Sequence, residues 1–160
     1  MKPKVGIVMG SISDWPVMKE AEKVLKDFGV EVDKRVLSAH RTPMELEAWV
    51  NSARDNGISV IIAGAGGAAH LAGSVAALTT LPVIGVPVKS RALGGFDSLL
   101  SMVQMPPGIP VGTVGVDGAK NAGLLAIEIM AINNTDLTDK LADFRRQQIE
   151  KILATKFPEE

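Results

Sequence analysis

Only two histidines occur in the 160 residues, and both sit in unusual company. His40 lies in Ser38-Ala39-His40-Arg41-Thr42-Pro43, directly after the apolar pair Val36-Leu37, and His70 closes the stretch Gly64-Ala65-Gly66-Gly67-Ala68-Ala69-His70. Imidazole can give and take a proton near neutral pH. The adjacent Arg41 offers a planar fork for phosphate or carboxylate. Together they suggest proton transfer on a small anionic ligand. Thr42 reads as the cap of the helix that Pro43 opens.

A third stretch, Gly10-Ser11-Ile12-Ser13-Asp14-Trp15-Pro16, has two readings. Ser13 or Asp14 can cap a helix, with Pro16 in its first turn. Capping leaves Ser11 unused, and Gly10 lets a ligand approach the backbone. Ser11 and the amides of a helix start then suit a phosphate. Asp14 would repel that phosphate and instead accepts hydrogen bonds from ribose hydroxyls.

The segment Gly64-x-Gly66-x-x-Ala69 matches part of a dinucleotide-binding fingerprint. That fingerprint also needs an acidic residue about twenty positions on, at the end of the next strand. Leu81-Pro82-Val83-Ile84-Gly85-Val86-Pro87-Val88-Lys89 supplies none, and no Gly-Lys-Ser/Thr ending follows. Two readings remain for the loop: backbone amides closing around a compact ligand, or small residues permitting tight helix–sheet packing. A non-catalytic nucleotide-binding module is the competing class of function. No carboxylate or third imidazole neighbours either histidine in sequence, so no metal site is expected. Gln104-Met105-Pro106-Pro107-Gly108 is a rigid turn, either a lid or a plain connection.

The elements that must position these loops alternate along the chain. Strands are expected at 4–9, 31–37, 58–63, 82–86 and 109–116, and helices at 14–28, 43–56, 68–80, 97–103 and 120–132. The runs 5–9 and 59–63 are almost wholly apolar, as parallel strands covered on both faces require. Strand–helix alternation with right-handed crossovers predicts a three-layer, doubly wound α/β fold with a central parallel sheet. The three loops then follow the carboxyl ends of strands, where ligands bind in such sheets. Helices 68–80 and 122–132 lack a polar face, so burial against other subunits is expected. Residues 136–156 form an amphipathic C-terminal helix, packing on its own subunit or a neighbour.

Composition narrows the partners. Seventeen basic and 18 acidic residues give a net charge of −1, with no footprint for nucleic acid or a membrane surface. The absence of cysteine removes disulfides and thiolate chemistry. With no signal sequence or membrane-length apolar run, a cytoplasmic location is expected. The length suits a single catalytic domain over 1–160, with a core at about 4–132.

Five motifs in order carry a resemblance. They are Gly10-Ser11-x-Ser13-Asp14-Trp15, Ser38-Ala39-His40-Arg41-Thr42-Pro43, Gly64-Ala65-Gly66-Gly67-Ala68-Ala69-His70-Leu71, Gly85-Val86-Pro87-Val88 and Ser101-x-Val103-Gln104-Met105-Pro106-x-Gly108-Ile109-Pro110-Val111. Over roughly 4–132 the chain resembles the class I PurE family, the 5-(carboxyamino)imidazole ribonucleotide mutases of purine biosynthesis. The resemblance implies a flavodoxin-like domain, a homo-octamer and a ribonucleotide substrate, with no cofactor or metal. It implies His40 as general acid and base, and Ser11, Asp14, Ser38 and Arg41 as substrate-binding residues. Gly66, Ala68, Ala69 and His70 match the loop that encloses the base and CO2. The related class II carboxylases lack the His-Arg-Thr-Pro and Gly-Gly-Ala-Ala-His-Leu patterns. Ala72 stands where the family usually has Pro.

Overall fold

The computed structural model describes residues 3–157. Five strands form one parallel sheet in the order β2-β1-β3-β4-β5. They are β1 Lys4–Met9, β2 Glu31–Val36, β3 Ile58–Gly66, β4 Val83–Val88 and β5 Gly112–Thr113. The helices are α1 Trp15–Asp27, α2 Pro43–Ala53, α3 Leu71–Leu78, α4 Phe96–Val103, α5 Ala119–Ala131 and α6 Thr135–Leu153. A short 3-10 turn, Ile12–Asp14, precedes α1. No described helix is long and apolar enough to cross a membrane.

Side-chain alternation along the strands divides the core into two layers. Val5, Ile7 and Met9 of β1, with Val60 and Ile62 of β3, face α1 and α5. Val8, Ile61, Ala63 and Ala65 face the opposite layer, where α2, α3 and Met102 of α4 pack. Gly6 lies on that second face because a Cβ there would stand 3.0 Å from the Trp49 ring. These layers make the three-layer α/β sandwich. The chain runs from β1 outward to β2 and then returns to the other side of β1 as β3. That reversal opens a crevice at the carboxyl ends of β1 and β3, the ligand position of such sheets.

Three expectations change. First, β3 runs through Gly64 and Gly66, paired with Val86 and Val88, so the glycine-rich stretch begins inside the sheet. Consequently α3 starts at Leu71 rather than 68. Second, β5 has only two residues instead of the run 109–116. It is one of the sheet's two edge strands, Pro110 has no N–H for a ladder, and the chain turns at Asp117 with φ +57.

Third, the two helices without polar faces are not left wholly to other subunits. Helix α5 packs tightly on α1: a Cβ on Gly123 would collide with Val24. Its other flank meets α6 of the same chain, where Leu141 and Phe144 join that core layer. Leu137 is fully buried and Phe28 meets Phe144 edge-on, with centroids 5.8 Å apart. The first half of α6 therefore packs on its own subunit. Farther along, Ile149, Ile152 and Leu153 stay exposed. Helix α3 keeps Ala77 exposed beside its buried Leu71, Ala72, Val75 and Ala76.

Candidate active site

Four loops, one after each of β1 to β4, enclose a cleft of about 300 Å³ at the carboxyl edge of the sheet. Ser11, Asp14, Ser38, His40, Arg41, Gly66, Ala68 and His70 all line it. Ala69 does not, being fully buried in the core beside α3. Ser90, from the loop after β4, also lines the cleft. No motif in the sequence points to it.

The first loop combines capping with ligand-facing polarity. Ser11 caps the 3-10 turn, while Asp14 stands at the N-cap position of α1 without a side-chain cap bond there. Its Oγ accepts from the Ser13 amide at 3.2 Å and the Ser13 hydroxyl at 2.9 Å. Asp14 closes the capping box by accepting the Ser11 N–H at 3.2 Å. With both acceptor positions of its hydroxyl in use, Ser11 has its O–H left to donate. Burial pushes the Asp14 carboxyl above its ordinary range, and the Ser11 N–H only partly offsets this.

Ser38 organises the second loop in the same manner. Its Oγ accepts the backbone N–H groups of His40 at 3.3 Å and Arg41 at 3.2 Å. Thr42 does not cap α2 with its side chain. Its hydroxyl instead accepts the Ser38 N–H at 2.8 Å and donates to the Ser38 carbonyl at 3.2 Å. The loop is thus wound on Ser38 and presents His40 and Arg41 together. Arg41 Nη2 donates to the Gly10 carbonyl at 2.9 Å, joining the first loop to the second. Its remaining N–H groups and the Ser11 and Ser38 hydroxyls make a donor set suited to an anion.

The third loop brings the two imidazoles into contact. His40 Nε2 and His70 Nδ1 are 2.8 Å apart, with the rings edge to face at 87°. Such a contact needs one donor and one acceptor, so at least one ring is neutral while it lasts. The amide cradle is smaller than expected. Gly67 N–H goes to Ser98 Oγ, Ala69 N–H to the Gly67 carbonyl, and His70 N–H to the Ala68 carbonyl. Of residues 67–70, only Ala68 has an amide without a partner among the described residues. Gly64 serves packing, because a Cβ there would collide with Met18. Gly67 serves the turn, at φ +67. This arrangement removes the dinucleotide reading, whose glycines belong in a loop under a pyrophosphate.

Helix α4 supports the third and fourth loops. Ser98 is fully buried, accepting from Gly67 N–H at 2.9 Å and donating to the Val88 carbonyl at 2.7 Å. Asp97 accepts the Ser90 hydroxyl at 2.6 Å, which holds its carboxyl below the ordinary range. The turn at 104–108 takes no part in lining this cleft. Met105 instead packs on α3, where a Cβ on Gly73 would lie 3.1 Å from its sulfur.

Comparison with known proteins identifies the family. The family model for AIR carboxylase matches residues 4–151. A Pyrococcus abyssi protein named N5-carboxyaminoimidazole ribonucleotide mutase is 65% identical over 89% of this chain and 82% of its own. Proteins of the same name from Vibrio parahaemolyticus and Saccharolobus solfataricus are 57% and 54% identical. The former match covers 98% of this chain and 99% of the relative, and the latter 96% and 98%. The crystal structure of Treponema denticola PurE superimposes with a TM-score of 0.87 at 29% identity, over 95% of both chains. The chain belongs to the AIR carboxylase family, in its class I PurE branch.

Proposed function

We propose that the chain is a mutase of purine biosynthesis. It moves a carboxylate from the exocyclic nitrogen to the adjacent ring carbon of an aminoimidazole ribonucleotide. The observation that carries this reading is the convergence of an imidazole pair and an anion-binding donor set in one cleft of about 300 Å³. The names of relatives at 54–65% identity support the same reaction.

In the first half, the bond from the exocyclic nitrogen to its carboxylate breaks and CO2 leaves. His40 gives that nitrogen a proton. In the second half, the ring carbon attacks CO2, and the proton on that carbon returns to His40. One proton is given and one taken, so His40 ends as it began. Holding CO2 beside its acceptor supplies the proximity contribution. Arg41, Ser11 and Ser38 hold the phosphate, and Asp14 accepts the ribose hydroxyls. Gly66, Ala68 and His70 enclose the base and CO2, with Ala69 acting through the packing beneath them.

Purified protein given the carboxyamino substrate is expected to form the ring-carboxylated isomer without ATP, biotin or added metal. A direct product assay that detects no isomer would sink the proposal.

A homo-octamer, implied by the family resemblance, belongs to the same reading. Supporting it is an apolar groove of about 800 Å³ between α5 and α6, lined by Leu124, Leu125, Leu141, Phe144, Ile149 and Ile152. Light scattering is expected to give eight copies of the 16.9 kDa chain, and a stable monomer would contradict this.

A further inference from the structure

Helix α4 follows the usual amphipathic pattern only in part, with Met102 buried in the core. Phe96, Leu100 and Val103 are exposed, whereas Ser98 is fully buried next to the sheet. A serine takes such a position at a cost unless its hydroxyl is satisfied. Here it both donates and accepts, to two elements that meet at the site. It donates to the carbonyl of Val88, the last residue of β4, at 2.7 Å. It accepts from the amide of Gly67, the first residue after β3, at 2.9 Å.

Gly67 has a left-handed backbone, and its peptide orientation decides where the next three residues go. From it the chain passes through Ala68 and Ala69 to His70. Gly67 also receives the Ala69 N–H on its carbonyl at 2.9 Å. His70 then reaches His40 at 2.8 Å. We propose that Ser98 is a positioning residue of this site, fixing the Gly67 peptide and through it the register of His70 against His40. It touches no reacting atom. The role rests on the mutase reading only for its effect on turnover.

The test uses the full-length protein, with histidine-ring NMR alongside kinetics. Two histidines in the chain mean two sets of ring signals, which His40→Asn assigns. Ser98→Ala leaves the Gly67 N–H and the Val88 carbonyl without their partner. The expected result is a fall in kcat of roughly 10- to 100-fold, KM changed less than about threefold, and ring signals that show His40 and His70 no longer hydrogen-bonded to each other. Ser98→Cys keeps the shape but bonds weakly, and covers the case in which Ser98→Ala does not fold. Its expected kcat lies between Ser98→Ala and the parent. Folded variants with parental kcat and an intact His40–His70 hydrogen bond would overturn the proposal, as would a loss confined to thermal stability. If the parent has no mutase activity, that reading fails, while the histidine ring signals still test the positioning role.

Discussion

His40→Asn is expected to remove turnover while leaving substrate binding nearly intact. Asn has no group that exchanges a proton near neutral pH, so both proton transfers lose their carrier. Positioned proton transfer contributes roughly 10²–10⁴-fold to rate, which sets the smallest expected loss. Binding should survive for structural reasons. The loop is wound on Ser38 through the backbone amides of residues 40 and 41, and neither bond involves the imidazole. Arg41 is tied separately to the Gly10 carbonyl, so the anion subsite keeps its shape. The check is single-turnover product formation beside calorimetric binding of aminoimidazole ribonucleotide. A parental rate would show that His40 is not the proton carrier. A large loss of binding would make it an anchor instead.

How much of this site was legible in the chain depends on the range of the contacts involved. The loops after β1 and β2 are built from contacts of two to four residues, such as Ser11 with Ser13 and Asp14, or Ser38 with Thr42. Serine, aspartate and threonine at those spacings carry their own explanation: Asp14 stands at the N-cap of α1 as expected, while the side-chain cap bond comes from Ser11 one turn earlier. The strand–helix alternation was readable for a similar reason, since each run of β1 and β3 is apolar on both faces.

Ser98 was not readable, because its partner lies 31 residues away and apolar neighbours point outward around it. A serine four residues before the buried Met102 was the one available signal. Gly64 and Gly67 illustrate the same limit. As letters they are equivalent, yet one makes room for Met18 and the other makes a left-handed turn. Only the end of β3 separates the two jobs. Ser90 enters the cleft from a fourth loop whose sequence, Lys89-Ser90-Arg91, has nothing to distinguish it from a surface turn.

Asp14→Asn is expected to move stability and function in opposite directions. Burial raises the Asp14 carboxyl above its ordinary range, against a smaller opposing effect of the Ser11 N–H. The folded protein therefore binds this proton more tightly than the unfolded chain does. Above the raised value the buried charge destabilises the fold, and that penalty fades as pH falls through it. An Asn carries no charge, and its Oδ1 can still accept the Ser11 N–H. The variant should melt a few degrees higher at neutral pH, with the difference shrinking in acid. Substrate binding should weaken, because a hydrogen bond to a charged group contributes about 1.5–3 kcal/mol, or roughly 10- to 150-fold in affinity. Thermal melts across pH and a ribonucleotide titration read the two effects independently. A variant that melts lower at neutral pH would show that the carboxylate stabilises the turn through its charge. If affinity stayed at the parental level, the ribose hydroxyls would have to be held by another group.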